Sequence, residues 1–406
     1  MGAESCSAGQ PQRYIGLLPG TPAAIRIGYL AAMKSTGRIP SSNPKANYLA
    51  HQREIDEAVA RVLQSGWYVL GHEVAVFEEE FAAYIGARFA IGVGSGTEAL
   101  HLALRACGVG QGDEVITVSH TAVATVAAIE LCGATPVLVD IDLDTYTMDP
   151  DQLESAITER SKAVVPVHLY GHPADLPSIM AVAHKYDLWV IEDCAQSHGA
   201  TLKAVMTGGH GHIGAFSFYP TKSLGAMGDG GMVTTSQPDL AKRARLLREY
   251  GWQQRYISKF SGLNSRLDEL QAAILRVKLQ YLDQENRRRQ TLARTYEEKL
   301  SSTSLRLPSC LPEANHVYHQ YAVRSDQRDS LKTFLSENGI DTLVHYPVPI
   351  HLQPAYQGRL PCSGSMVISE GVAKQILSLP IYPELTDEEV QHIAEIIVQW
   401  DQNQEK

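Results

Sequence analysis

Three absences narrow the field before any motif is read. No run of about 18 apolar residues occurs among the 406, so no segment qualifies as a membrane-spanning helix. The six cysteines (Cys6, Cys107, Cys132, Cys194, Cys310 and Cys362) contain no C-x-x-C pair. That spacing argues against a zinc site, or any other metal site, and against a disulfide frame; it suits free thiols in a reducing, cytoplasmic setting. Basic residues are also in deficit. Lys plus Arg number 35 against 45 Asp plus Glu, a net charge of −10. A nucleic-acid partner wants a basic face, so the balance argues against one, while a local basic patch for a diphosphate stays compatible.

What is present fits an ordinary soluble globular protein. At 44% hydrophobic residues there is apolar surface for a large core, and 406 residues suggest two domains. Residues 1–38 read differently, with Arg13, Arg26, Lys34 and Arg38 set against Glu4 alone and Gly and Pro scattered between. They are expected to be a disordered extension, with Met33 a candidate first residue. The apolar stretch "IGYLAAM" is too short for a secretory signal, and a transit peptide is the lesser alternative.

From residue 88 short apolar runs alternate with helical patterns. "FAIGVG", "EVITVS", "PVLVDID", "AVVPVHLYG" and "LWVIEDCAQ" are separated by an apolar helix after Thr97, "AVATVAAIELCG", a polar helix near 150–159 and a helix over 175–186. Such alternation predicts βαβ units and a mainly parallel sheet, α/β in class. Ligands of such sheets bind at the carboxyl ends of strands, which selects Gly94–Thr97, Ser119–Thr125, Asp193–His198 and Ser217–Lys222. Residues 267–300 read as one or two long amphipathic helices, with Arg287, Arg288 and Arg289 on a solvated or subunit-facing surface. Helices over 328–338 and 386–400, among short strands and prolines, predict a smaller C-terminal domain.

Lys222 stands in "FSFYPTKSLGAMGDGGMV", where an apolar strand runs into a glycine-rich turn. Desolvation there lowers an amine's pKa and makes it a nucleophile toward carbonyls. Asp193 ends the apolar run of "IEDCAQSHGA", where an unpaired carboxylate is costly and a protonated pyridine nitrogen would answer it. At about 4 Å and an effective dielectric near 20, such a pair gains about 4 kcal/mol before desolvation, enough to keep a ring nitrogen protonated at neutral pH. "GSGTEAL" adds free N–H groups at Gly94, Ser95, Gly96 and Thr97 ahead of a helix, a site for a phosphate. Each alone has a structural explanation: a surface lysine, a capping aspartate, an ordinary helix start. Together, in this order, they specify pyridoxal 5'-phosphate (PLP).

From about Ile39 onward the chain resembles the DegT-type sugar-nucleotide aminotransferases. The stretches that carry the likeness are "GWYVLGHEVAVFEEEFA", "GSGTEALHLAL", "GATPVLVDID", "VPVHLYGHPAD", "EDCAQSHGA", "FSFYPTKSLGAMGDGGMV", "GLNSRLDELQAAILRVKL", "HYPVPIHLQPAY" and "LPIYPELTDEEV". The resemblance implies PLP fold type I, with a large domain over 39–283 holding a mainly parallel seven-stranded sheet. Residues 284–406 would then be a linker helix and a small α+β domain. It implies that Lys222 binds PLP covalently, that Asp193 pairs with the ring nitrogen and that Gln196 bonds the phenolic oxygen. Thr97, the Gly96 backbone and Ser217 would hold the phosphate. Asn264 would reach the phosphate of a neighbouring subunit, which makes a homodimer the functional unit. His345, Tyr346 and His351 are expected near the sugar pocket, or else to shape a turn. Where family members carry an aromatic residue over the cofactor ring, this chain has Ala122 in "SHTAVAT", with His120 a candidate substitute.

"REYGWQQRYIS" followed by "GLNSRLDELQAAILRVKL" looks most like enzymes that aminate C3 of dTDP-3-keto-6-deoxyhexoses with glutamate or glutamine as donor. C4 aminotransferases of UDP-, GDP- or dTDP-4-keto sugars are the alternative. A PLP-binding regulator is the alternative of another class. The dehydratase branch, with histidine for the lysine, is disfavoured by Lys222.

Overall fold

The computed structural model describes residues 37–404. The extension expected over 1–38, with Met33, therefore lies outside the described residues apart from Gly37 and Arg38.

The apolar runs become seven strands: β1 (Phe89–Val93), β2 (Glu114–Val118), β3 (Thr135–Val139), β4 (Ser161–Val164), β5 (Trp189–Asp193), β6 (Ile213–Ser217) and β7 (Gly231–Thr235). They join in one sheet ordered β1-β7-β6-β5-β4-β2-β3. β7 runs antiparallel to both its neighbours, and the other pairs are parallel. Hence β1, β2, β5 and β6 all deliver their carboxyl ends to the same edge. β4 is shorter than its apolar run, because Pro166 has no N–H for the ladder and a 3-10 turn at Leu169–Gly171 follows.

Helices cover both faces, as a parallel sheet requires: α1 (Gln52–Ser65), α2 (His72–Ile85), α3 (Gly96–Ala106), α4 (Val123–Leu131), α5 (Leu176–Lys185) and α6 (Pro238–Leu247). Leu100, Leu104, Ala128, Ala244 and Leu247 pack on one face, and Leu176, Ile179 and Ala183 on the other. The polar helix expected near 150–159 is only a single turn, Pro150–Leu153, continued by a 3-10 turn over Glu154–Ala156. The long amphipathic segment is two helices, α7 (Glu269–Leu279) and α8 (Leu282–Leu300), divided at Gln280 and Tyr281.

The arginine run departs from expectation. Arg287 is exposed, Arg288 pairs with Asp387 at 2.7 Å, and Arg289 is buried and donates to the Ile381 carbonyl at 2.7 Å. With about 100° per residue, three adjacent arginines cannot share one face. In the second half of α8, Leu292, Tyr296 and Leu300 build a separate cluster with the antiparallel pair β8 (Tyr321–Arg324) and β9 (Ile376–Leu379) and the helices α9 (Arg328–Glu337) and α10 (Asp387–Gln404).

Period-two alternation at the end of β6 sets the site. Phe216 and Phe218 turn down onto Phe77 and Phe81, with Phe81 edge-on to Phe216 at 5.0 Å and to Phe218 at 5.6 Å. Ser217, between them, turns the other way. Aromatic contacts of this kind add about 0.5–1.5 kcal/mol each beyond their burial, so the strand that leads to Lys222 rests on a stiff base.

Candidate active site

Asp193 is the last residue of β5 and is buried. Its Oδ2 accepts a hydrogen bond from Thr125 Oγ1 at 2.8 Å, and its Oδ1 accepts one from the Ala195 amide at 3.1 Å. Burial pushes its pKa up, while Thr125, the Ala195 amide and the Lys222 ammonium work to keep it ionised. Lys222 is half-buried on the turn after β6, and desolvation lowers its amine to about 8, against the opposing pull of Asp193. The neutral form of such an amine is far more populated near neutral pH than that of an ordinary lysine. The carboxylate and the amine thus sense one another at the edge where the strands end.

The phosphate-type cradle is also built. Ser95 caps α3, accepting from the Glu98 amide at 3.2 Å, which leaves Gly96 and Thr97 in the first helical turn. A Cβ on Gly96 would lie 2.5 Å from Ser217 Cβ, so only glycine lets the α3 terminus close on the end of β6. The structure therefore brings Gly96, Thr97 and Ser217 together. Asn264 is exposed, and its backbone bridges to Glu249. Its neighbour Ser265 accepts from the Gly94 amide at 3.0 Å and donates to Glu98 at 2.7 Å, which ties this segment to the rim of its own loop.

Gln196 accepts the Tyr170 amide on Oε1 at 2.8 Å and donates from Nε2 to Tyr346 Oη at 3.0 Å. Tyr170 donates its hydroxyl to the His345 carbonyl, and His120 Nε2 lies 2.8 Å from the same hydroxyl. His345 Nδ1 meets Ser378 Oγ at 2.9 Å. His345 and Tyr346 are thus joined to Gln196, and burial raises the Tyr346 phenol to about 12. His351 instead meets Ser119 and Glu370, its Nδ1 2.6 Å from Ser119 Oγ and its Nε2 3.3 Å from Glu370. Ala122 is half-buried at the start of α4, and His120 is fully buried with Nδ1 unpartnered.

Several neighbours were not singled out in the sequence. Thr125 lies in the stretch selected at the end of β2, yet its bond to Asp193 spans 68 residues of chain. Tyr170 joins three site residues, His120 and His345 through its hydroxyl and Gln196 through its backbone amide. His168, Glu192 and Cys194 offer ligand atoms within 4.8 Å of one another, but their polar atoms are already engaged. Glu192 accepts from His168 Nε2 at 3.0 Å and from the amides of Gly208 (2.7 Å), His210 (2.9 Å) and Gly211 (2.6 Å), while His168 Nδ1 accepts the Ala174 amide at 2.9 Å. That network pins the loop at 207–212 behind β5.

A strand-end carboxylate, a desolvated lysine and a glycine-closed helix terminus on one edge of a mixed sheet define a fold type I transferase site. The chain belongs to the DegT/DnrJ/EryC1/StrS aminotransferase family, whose profile matches residues 50–398. It is 47% identical to a dTDP-3-amino-3,4,6-trideoxy-alpha-D-glucose transaminase of Streptomyces venezuelae, over 91% of this chain and 98% of that one. It is 47% identical to a dTDP-3-amino-3,6-dideoxy-alpha-D-galactopyranose transaminase of Aneurinibacillus thermoaerophilus, over 88% of this chain and 98% of that one. The crystal structure of S. venezuelae DesV in complex with a ketimine intermediate superposes with a TM-score of 0.88 at 48% identity, covering 90% of this chain and 98% of that one.

Proposed function

We propose that this aminotransferase carries PLP on Lys222 and moves an amino group from glutamate or glutamine to C3 of a dTDP-linked 3-keto-6-deoxyhexose. The carrying observation is the Asp193–Lys222 pair, each shifting the other's ionisation at the strand ends beside the Gly96–Ser217 cradle. These residues fit the cofactor. Asp193 suits a protonated ring nitrogen, Gln196 the phenolic oxygen, and Thr97, Ser217 and the Gly96 amide the phosphate at a helix N-terminus. PLP supplies an electron sink for the charge left when a proton departs the donor Cα.

The protein's own groups do the rest. Asp193 holds the ring charge, and Lys222, with an amine titrating near 8, takes and returns the proton as a general base and acid. Burial, helped by the Lys222 ammonium, holds the His345 imidazole down near 4. His120 is the candidate to cover the ring where Ala122 leaves space. His345, Tyr346 and His351 belong to the sugar side of the pocket, Asn264 is supplied by a second copy in a homodimer, and the chain divides at residue 283/284 into a large and a small domain. A cytoplasmic location suits the free thiols.

C3 is favoured over C4 because both transaminase relatives described above are named for 3-amino products. A PLP-binding regulator would keep Lys222 but would also need a DNA-binding module, which a net charge of −10 does not favour. A panel of 3-keto and 4-keto sugars, each as dTDP, UDP and GDP derivatives, tests the reading. Turnover of the dTDP-3-keto sugar is expected. Preference for a 4-keto sugar would move the reaction to C4, and no turnover with any of them would remove the sugar reading.

A further inference from the structure

α7 buries a lysine where its helical stripe calls for an apolar residue. Ala272, Leu275 and Lys278 recur at three-residue spacing, and all three are buried. A buried ammonium is costly unless it is paired. Lys278 Nζ donates to the carbonyl of Gly225, in the turn that carries Lys222.

That carbonyl sits in a crowded place. A Cβ on Gly225 would lie 2.5 Å from the Pro220 carbonyl oxygen and 3.0 Å from that of Tyr219, so carbonyl dipoles converge where the turn closes. Within the turn, the Lys222 amide bonds Tyr219 O at 2.9 Å and the Ala226 amide bonds Phe218 O at 2.8 Å. From outside, α7 holds it twice. Gln271 accepts the Met227 amide at 2.8 Å, and seven residues further on the same helix face Lys278 takes Gly225.

The charges facing Lys278 come from other parts of the chain. Burial lowers its amine to about 8, opposed by Glu285 of α8 and by Glu384 of the segment before α10, while Arg289 of α8 adds to the lowering. Glu285 Oε1 accepts from Asn47 Nδ2 at 2.8 Å and contacts His51 Nε2 at 2.9 Å. Asn47 also donates to Glu384 Oε1 at 3.0 Å, and Glu384 Oε2 is buried without a partner.

We propose that Lys278 is a positioning residue: by fixing the Gly225 carbonyl it sets where the Lys222 amine stands. The inference rests on the reading of Lys222 as the PLP-binding lysine. Displacements of about 1 Å in a reacting group cost up to about 100-fold in rate, so a small shift of this turn is worth measuring.

The experiment compares Lys278→Met, Lys278→Gln and Lys278→Arg with the parent protein. Folding is checked by circular dichroism. PLP is added to each apoprotein, and the near-visible absorption band of lysine-bound PLP is followed in time and against pH. With Met, and with Gln, whose amide is too short to reach, the band is expected to form at least ~5-fold more slowly and its pH midpoint to move. On this geometric ground kcat should fall about 10-fold while KM for the sugar nucleotide changes less than about two-fold; Arg should restore most of the loss. A folded Met or Gln variant with the parent's band, midpoint and kcat would overturn the proposal. So would failure of both to fold, which would make Lys278 a stability residue. Absence of the band in the parent protein itself would instead strike the PLP reading.

Discussion

Thr125 donates its hydroxyl hydrogen to Asp193 Oδ2 over 2.8 Å, joining the first turn of α4 to the end of β5. A hydrogen bond to a charged acceptor contributes about 1.5–3 kcal/mol. Removing it leaves a buried carboxylate with the Ala195 amide as its remaining donor, and burial then raises its pKa further. Thr125→Val keeps the shape and loses the donor. It is expected to retain PLP and to lower kcat by about 10-fold or more, as steady-state kinetics beside the absorption spectrum would show. An unchanged kcat would mean that Asp193 needs no such support.

Asp193→Asn tests the carboxylate itself. A neutral amide cannot hold the ring nitrogen protonated, so PLP should still bind, with activity down at least ~100-fold, about 2.7 kcal/mol of barrier. Parent-like turnover would take Asp193 out of its assigned role.

The strand ends were legible because their chemistry is local: an apolar run that stops at Asp193, or that meets glycines around Lys222, shows its purpose within ten residues. Gly96 and Ser217 were likewise readable, one as a helix start and the other as a strand end. What joins them was not. Thr125 to Asp193, Gln196 to Tyr346 and Lys278 to Gly225 are separated by 68, 150 and 53 residues, and a sequence carries no mark of such pairs until the sheet order is known. The burial of Arg289 was missed for a related reason. A run of three arginines suggests a surface, whereas helix geometry turns one of them inward. The break at Gln280 and Tyr281 carries no proline or glycine to announce it.

Buried histidines give the fold an acid limit. Burial, helped by the Lys222 ammonium, holds His198 near 3, and burial above all holds His120 near 4. Both would titrate near 6.5 in the unfolded chain. Their folded pKa values are depressed, so the unfolded chain binds more protons between these values. Stability is therefore full above about pH 6.5 and is lost as pH falls toward 4. Denaturant melts of the apoprotein from pH 7 to 4.5 should show this slope. His198→Leu should flatten it by about one proton's worth, about 1.4 kcal/mol per pH unit. An equal slope in the variant would mean that His198 is not buried neutral.

Asn264 decides whether sites are shared. If it serves the phosphate of a second copy, mixing Lys222→Ala with Asn264→Ala protein gives hybrid dimers with one doubly damaged site and one intact site. Activity above either parent is then expected after subunit exchange. With exchange demonstrated and the Asn264→Ala parent clearly impaired, flat activity would place Asn264 in its own subunit's site.

The most direct measurement is chemical trapping of the cofactor. The protein loaded with PLP is reduced with borohydride, digested and mapped by mass spectrometry. Among the described residues, two lysines have amines lowered to about 8, Lys222 and Lys278, so the map can discriminate. The phosphopyridoxyl group is expected on the peptide holding Lys222, and Lys222→Ala protein should show neither the label nor the near-visible band while remaining folded. Label on Lys278 or on any other lysine, or an active Lys222→Ala protein, would contradict the assignment of Lys222 as the residue that holds the cofactor.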